Sequence, residues 1–425
     1  MPSFYEDLCW RGLVHQMTDQ ETLAARLDVP GLVVYIGFDP TADSLHVGHL
    51  QQLCLLRRFQ HAGHRPIALV GGGTGMIGDP SGKSDERNLL SPARLAANRG
   101  AIAAQISLYL DLGGDGRAVL VDNAEWLGSA LLLEFLRDVG KHFSVNEMVR
   151  KDSVRARLDG REQSLSFTEF SYMLLQAWDF VQLYDRYGCE LQLGGSDQWG
   201  NITEGTDLIR RLRGGRAFGL TSPLITKGDG SKFGKTEGGN VWLDPSRTSP
   251  YAFFQFWLRT LDSDVGSYLR RLTFLSRERI EELDAATADR PGQREAQRAL
   301  ASEVTAGVHG AGEAKRAEQA AAVLFTEGIS GLDPMTLEGA LADAPTTAVG
   351  RDTLEQGMDP VAALTLSGLA SSKAEARRLL SDRSVYVNGT RVDAERILGL
   401  ADALHGRWIV LRRGKHSQHV LRVEG

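Results

Sequence analysis

Two short apolar runs frame the N-terminal half of the chain. "LVVYI" at 32–36 and "PIALV" at 66–70 are β-branched and bounded by Gly or Pro, the pattern of strands buried on both faces. Between them, "HLQQLCLLRRFQHAG" repeats its apolar positions at helical spacing and stops at Gly63. The three segments predict a strand–helix–strand unit. "AVLVDNAEW" follows a helical stretch and predicts a further strand, so the alternation predicts an α/β domain on a mainly parallel sheet. Residues 131–158 read as mixed helical, an insertion or an interface. A long helix opens at "SFTEFSYMLLQAWDFVQLY", where Ser166 and Glu169 have capping-box spacing, and "GCELQL" then leads into the glycine-rich turn "GGSDQWGN".

The C-terminal half has a different texture. From Pro250 to about residue 327 it is helical in pattern and rich in Ala, Arg and Glu. Scattered Gly, Pro and Thr over 328–360 predict a linker. Ser372 and Glu375 then offer a second capping box ahead of "AEARRLL", and "VYVNGTRV" alternates around Asn388-Gly389, the signal for a type I′ hairpin. Helix followed by hairpin predicts a small α+β unit able to fold separately.

Composition narrows this picture only slightly. The 425 residues have room for two to three domains at roughly 150 residues each. A hydrophobic content of 42% with 24% charged residues is that of an ordinary soluble globular chain. Cys9, Cys54 and Cys189 are odd in number and far apart, which supports neither a disulfide framework nor a thiolate metal site. The first thirty residues lack the apolar core of a secretory signal, and no apolar run approaches the roughly 18 residues needed to span a bilayer. A cytoplasmic location is expected. From Arg351 onward, 12 Lys and Arg face 9 Asp and Glu; with −6 overall, the body before it is strongly acidic. A basic tail on an acidic body suggests a polyanion partner at the C-terminus, although solvated surface explains it equally well.

The glycine-rich stretch "GGGTGMIGDPSGKS", residues 71–84, nearly matches two phosphate motifs. A P-loop needs Gly five positions before Gly82, where Ile77 stands, and Pro80 removes a backbone donor. Gly73, Gly75 and Gly78 fit a dinucleotide fingerprint, but a turn follows them, and no Asp or Glu lies between Glu86 and Asp111. Neither motif stands. The glycines are expected instead to let a substrate approach a strand end.

"GFDPTADSLHVGHL" places His46 and His49 at a helix start with Gly48 between them. Zinc would need a third ligand that is not nearby. Paired capping imidazoles account for two isolated histidines. In the context of strand, turn and helix N-terminus, the same rings suit a phosphate, and Gly48 leaves room for a flat base. On the long helix, Tyr172, Gln176 and Asp179 share one face of an otherwise apolar segment. Buried, they need polar partners, from a structural network or from a small polar substrate.

"HVGH" resembles the first signature of class I aminoacyl-tRNA synthetases. "KFGKT" (232–236), within "TKGDGSKFGKTEGGN", is similar to their second, lysine-bearing signature. "YIGFDPTADSLHVGHL", "GDPSGK", "FTEFSYMLLQAWDF" and "LQLGGSDQWGN" sharpen the resemblance to the bacterial-type tyrosyl-tRNA synthetase family over nearly the whole chain.

That resemblance implies a Rossmann-like parallel-sheet catalytic domain over 1–225, with an insertion or dimer-interface segment at about 112–165. An anticodon-side α-helical domain with the signature-lysine loop would follow over 226–327, then the linker 328–360. A small α+β RNA-binding domain, of a type shared with a small-subunit ribosomal protein, would occupy 361–425. The substrates would be ATP with its Mg²⁺, L-tyrosine and tRNA(Tyr), with no tightly bound cofactor, no dedicated protein metal site and no membrane.

Residue by residue, the resemblance assigns Tyr35 and Asp179 to the phenol hydroxyl and Asp79, Tyr172 and Gln176 to the α-ammonium group. It adds Gly37, Asp39, Gln192 and Gln198 to the tyrosine site, Gln198 near the reaction centre. Thr41 and His46 would meet the γ-phosphate, His49 and Asp197 the ribose, and Gly48 and Gly195 the nucleotide. Lys83 and Arg87 match a mobile basic loop, while Lys232, Lys235 and Thr236 belong to the second signature. Arg377, Arg378, Arg383, Arg412, Arg413 and Lys415 would contact tRNA. Ile36 departs from the pattern, standing where many relatives have a ribose-contacting cysteine. A homodimer is implied, with "LRDVGKHFSVNEMV" as interface. Two competing readings are an RNA-binding protein with a vestigial catalytic domain, which the intact histidine and lysine sets oppose, and activation of tryptophan, which Tyr35, Asp179 and the tail oppose.

Overall fold

The computed structural model describes residues 2–79, 90–114, 117–151, 154–155, 166–226, 228, 233–236, 239–324, 326–342, 344–414 and 417–425. The chain divides into two compact units, Met1–Asp244 with Thr260–Ala296 and Pro245–Arg259 with Gln297–Gly425.

The first unit is built on six strands: β1 (Gln16–Met17), β2 (Val33–Phe38), β3 (Arg65–Val70), β4 (Val119–Asp122), β5 (Leu191–Gly195) and β6 (Phe218–Ser222). Their order is β1-β6-β5-β2-β3-β4, with β2 to β6 parallel and β1 antiparallel at one edge. The expected strand–helix–strand unit is β2, the helix Val47–His61 and β3, paired from Val33↔Arg65 to Phe38↔Val70. Leu50, Leu53, Leu55, Leu56 and Phe59 bury one stripe of that helix. Tyr35, Ile67, Leu69 and Val121 pack with Ala177, Phe180 and Leu183 of the helix Phe167–Tyr187 and Leu208 of the helix Trp199–Arg213. Burial on both faces is why these strands read as unbroken apolar runs. A two-stranded piece, β7 (Lys235–Thr236) and β8 (Gly239–Asn240), carries the end of the second signature.

The second unit contains β9 (Thr346–Gly350), β10 (Val385–Val387), β11 (Thr390–Arg391), β12 (Trp408–Arg413) and β13 (Ser417–Glu424), ordered β11-β10-β12-β13-β9. Asn388 and Gly389 have φ of 47° and 80° between β10 and β11, the type I′ turn their identities predict. The capping box at Ser372 forms by half. Ser372 accepts from the Glu375 N–H, but the Glu375 carboxylate takes the N–H and hydroxyl of Ser371, at 2.8 and 2.6 Å.

The linker expected at 328–360 is corrected by the structure. It holds the helices Pro334–Leu341 and Arg351–Gln356, the start of the helix Pro360–Leu366, and β9, which pairs in parallel with β13. Two of its three prolines, Pro334 and Pro360, occupy first-turn positions behind the N-caps Asp333 and Asp359, so residues that looked like breakers start helices. Nor does the tail pack by itself. Ile409 and Leu411 of β12 face one core with Leu364, Leu379 and Leu380, whereas Trp408 and Val410 face another with Leu324, Leu337 and Leu341. The helical stretch expected as one domain is divided as well. The helices Asp262–Leu272 and Arg277–Asp289 belong to the first unit, and Pro250–Leu258 and Ala311–Val323 to the second.

Candidate active site

The chain leaves β2 for β3 and β4 on one side and returns to β5 on the other, which makes β2/β5 the topological switch point. In such sheets ligands bind beyond the carboxyl ends of the strands flanking that point. Gly37, Asp39, Gly195, Asp197 and Gln198 lie at or just past those ends, while Tyr35 and Gln192 pair with each other deeper in β2 and β5. Gly37 is exposed, and a Cβ there would meet only Leu69, at 3.7 Å, so the protein's own packing does not demand glycine. Ile36 beside it is packed into the core, 3% exposed.

At the deep end, Asp179 is buried and accepts from Asn123 Nδ2 at 2.9 Å and from Trp126 Nε1 at 2.7 Å. Burial pushes its carboxyl up to about 8 despite these two bonds, and Asp39 and Asp122 act in the same direction. The Tyr35 ring lies 5.2 Å from Phe180; its hydroxyl is buried and makes no hydrogen bond among the described residues, and Gln192 Oε1 is in the same condition. Burial, reinforced by Asp179, drives the Tyr35 hydroxyl well above its ordinary range and keeps it a neutral donor. A buried hydroxyl without a partner costs free energy that a hydrogen-bonding ligand returns. Tyr35→Phe should therefore leave the ligand-free protein as stable or up to about 1 kcal/mol more stable, while binding of a ligand that hydrogen-bonds the hydroxyl weakens by roughly 1 kcal/mol. Chemical denaturation and a binding titration measure the two signs, and a parallel loss of both would contradict this account.

Two hydrogen-bonded chains continue from there. In one, Tyr172 and Thr74 donate to Asp39 at 2.8 and 2.7 Å, and Asn123 donates to Thr74 at 2.9 Å. In the other, Gln198 donates to Asp79 at 2.7 Å, Gln176 donates to Gln198 at 3.3 Å, and Asn201 donates to Gln176 at 3.0 Å. Burial, helped by Asp79, raises the Asp197 carboxyl. The helical stripe Tyr172, Gln176 and Asp179 thus meets a network from four different strand ends.

The glycine stretch receives a different explanation from the one its sequence suggests. A Cβ on Gly71 would fall 2.0 Å from Asp39 Oδ1, and one on Gly72 would fall 2.3 Å from Asp122 Oδ1. These glycines make room for the protein's own carboxylates, which the sequence reading had given to substrate approach.

At the shallow end, the His46 ring accepts the Gly48 N–H at Nδ1 (3.0 Å), and His49 Nδ1 accepts the His46 N–H (3.2 Å). An accepting nitrogen carries no hydrogen, so each neutral ring holds its hydrogen on Nε2. The rings are 4.1 Å apart, and the absent Gly48 side chain makes space for His46, since a Cβ would lie 2.7 Å from its Cε1. Backbone bonds from Val47 N to Val241 O (3.0 Å) and from Leu243 N to Leu45 O (2.9 Å) tie this turn to the segment after the second signature. Thr41 is exposed nearby and donates its N–H to Asp39 O. Lys83, Arg87 and Lys232 lie outside the described residues; of Lys235 and Thr236 only the backbone is described.

The chain matches the family model described as tRNA synthetases class I (W and Y) over residues 30–326, and a tyrosine–tRNA ligase SYY-like C-terminal domain over residues 337–421. It is 51% identical to a tyrosine–tRNA ligase of Roseiflexus castenholzii over 100% of both chains, and 50% identical to that of Thermobifida fusca over 98% of each. Among solved structures, a C-terminally truncated mitochondrial tyrosyl-tRNA synthetase of Aspergillus nidulans matches with a TM-score of 0.68 and 32% identity, covering 76% of this chain and 95% of that one. This chain belongs to the class I tyrosyl-tRNA synthetase family.

Within that family frame, Thr74, Asn123, Trp126 and Asn201 were not singled out from the sequence. Asn123 had a usable signal, a polar residue late in a segment predicted as a strand, where strands of parallel sheets end at ligands. The synthetase tail presents Arg377, Arg378 and Arg383 as exposed side chains. Arg413 is engaged by Glu375 at 3.1 Å and by Leu369 O, and Arg412 stacks 3.8 Å from the centre of the Tyr386 ring. Lys415 lies outside the described residues.

Proposed function

We propose that the chain is a tyrosine–tRNA ligase that activates L-tyrosine with ATP and passes the tyrosyl group to the 3′-terminal ribose of tRNA(Tyr). The observation that carries this reading is the buried pair of Asp179 and Tyr35, a carboxyl and an unpaired hydroxyl beside the switch point, with the two histidines on the helix that follows β2. The pair takes the phenol hydroxyl; Asp39, Asp79, Tyr172, Gln176, Gln192 and Gln198 hold the rest of the amino acid. The tyrosine carboxylate attacks the α-phosphate in line, pyrophosphate leaves, and a ribose hydroxyl of the tRNA later displaces AMP. No protein nucleophile is needed. His46 and His49, each offering an Nε2–H, act with Thr41, Lys83, Arg87, Lys232, Lys235 and Thr236 on charge that builds on the phosphates. Gly37 belongs with the tyrosine, and Gly48, Gly195 and Asp197 accommodate the nucleoside. Mg²⁺ enters with the triphosphate as part of the substrate.

Tyrosine-dependent exchange of pyrophosphate into ATP tests the assignment. Exchange is expected with tyrosine and not with phenylalanine or tryptophan; equal support by phenylalanine would reject it.

The exposed arginines of the tail serve the tRNA. Changing Arg377, Arg378 and Arg383 together to Gln should raise the KM for tRNA about tenfold or more near physiological salt and leave pyrophosphate exchange intact. Unchanged charging would remove them from the RNA-binding surface. The assembly is a cytoplasmic homodimer. The helix Leu132–Asp138 buries none of its residues and leaves Leu132, Leu133 and Leu136 exposed, with Leu131, Val145 and Phe167 also outside the core. Sedimentation giving only monomer would contradict this. Among the described residues no helix is long and apolar enough to cross a membrane.

A further inference from the structure

The chemistry assigned above uses nothing from the helix Asp262–Leu272, yet that helix holds a buried carboxylate turned toward the second signature. Asp264, 7% exposed, accepts the Gly228 N–H with both oxygens, at 3.2 and 3.0 Å. The approach is close enough that a Cβ on Gly228 would lie 2.4 Å from Asp264 Oδ1. One turn later, Tyr268 donates its hydroxyl to Thr226 O at 3.0 Å, and its ring meets Phe233 edge-on at 5.2 Å. Positions 264 and 268 lie on one face of the helix. That face therefore grips the chain at three described points around the second signature: Thr226, Gly228 and Phe233.

The other end of the same helix is fastened to the first signature's helix. Cys54 and Arg58, on the helix Val47–His61, reach the carbonyls of Leu272, Arg270 and Thr273, and Arg11 reaches those of Arg270 and Leu275. Cationic donors on terminal carbonyls are the favourable arrangement at a helix C-terminus. At the opposite end of the frame, a Cβ on Gly234 would lie 2.8 Å from Val47 Cγ2, so the second signature rests directly on the turn holding His46 and His49. Two helices, fastened together through Cys54 and Arg58 of one and the C-terminal carbonyls of the other, thus hold the first signature at the start of one and contact the second from the face of the other.

We propose that Asp264 and Tyr268 are positioning residues for adenylate formation, holding the chain around the lysine signature at Thr226, Gly228 and Phe233 against the turn that carries His46 and His49. The proposal rests on the synthetase reading above. It concerns placement, since neither residue is assigned to substrate. Displacement of a catalytic group by about 1 Å costs up to roughly a hundredfold in rate, so a clamp at this distance has a measurable effect.

The experiment compares the full-length wild type with Asp264→Ala, Gly228→Ala and Tyr268→Phe in tyrosine-dependent pyrophosphate exchange, with tyrosine affinity measured by titration. Gly228→Ala attacks the same contact from the opposite side, and Tyr268→Phe removes one hydroxyl, so the result does not depend on one variant folding. Exchange should fall roughly tenfold to a hundredfold in the first two and less in the third, with tyrosine Kd within about twofold of wild type. Asp264→Asn, which keeps one acceptor, should lie between wild type and alanine. In a Lys235→Ala background, Asp264→Ala should cost little more, because groups acting through one another are not additive. Wild-type exchange in the variants, an equal loss of tyrosine affinity, or full additivity with Lys235→Ala would each overturn the positioning role alone. Absence of exchange in the wild type would overturn the synthetase reading, and the proposal with it.

Discussion

Asparagine in place of Asp179 should weaken tyrosine binding by about thirtyfold to a thousandfold, roughly 2–4 kcal/mol, and narrow the discrimination against phenylalanine. The two oxygens of the carboxyl group can accept from several directions at once; two are already taken by Asn123 Nδ2 and Trp126 Nε1, and a phenol hydroxyl would occupy a third. An amide has one accepting oxygen. Its NH₂ group must point at one of the existing donors, leaving a buried N–H unpaired whichever way it turns. A site built to hydrogen-bond a hydroxyl rejects the analogue that lacks it, and this enzyme family supplies the standard example of such rejection. Pyrophosphate exchange with each amino acid measures the change, and unaltered tyrosine affinity would remove Asp179 from the phenol site.

The same substitution carries a pH signature. Burial pushes the Asp179 carboxyl up to about 8 from an ordinary 3.8, so between those values the folded chain keeps a proton that the unfolded chain releases. The stability linked to that proton is fully present below about pH 4 and is lost as pH rises to about 8. The stability of wild type relative to Asp179→Asn should therefore fall between pH 5 and pH 8, by an amount on the order of 3–4 kcal/mol. Urea denaturation at both pH values checks it; a constant difference would contradict the raised carboxyl.

His46→Ala should slow adenylate formation about 100- to 1000-fold, the usual effect of deleting one donor to developing charge, with tyrosine affinity within about twofold. The ring also caps its helix through the Gly48 N–H, so alanine should destabilise the protein by roughly 1 kcal/mol as well. Asparagine separates the two roles, since it restores a capping acceptor without an imidazole Nε2–H. His46→Asn should regain most of the stability and little of the rate. Recovery of both would make His46 a cap and nothing more.

Much of this site was legible in the sequence because its parts sit on short, strongly patterned segments. The runs at Tyr35 and at Ile67, the turn before His46 and the polar stripe on the helix of Asp179 each announce themselves through local spacing. What stayed hidden depends on where strands end beside one another. Asn123 and Trp126 follow β4, far along the chain from Asp179, and no local pattern declares that β4 lies next to β3. The same limit produced the expected linker. Pro334 and Pro360 look like breakers until Asp333 and Asp359 are seen capping the helices they open, and β9 is invisible without β13. The lysine signature was readable as a motif, while Asp264 and Tyr268, which hold its surroundings, carry no motif at all.

The interleaving of the two units has a consequence for how the chain is made. The segment "PYAFFQFWL", whose Phe253, Phe254 and Trp257 end fully buried, belongs to the second unit, and its neighbours in the helix Ala311–Val323 are synthesised about 50 residues later. At translation rates of about 5–20 residues per second, three large aromatic side chains wait several seconds for the surface that covers them. A newborn chain thus exposes these side chains at a point where all six strands of its first sheet have already been made.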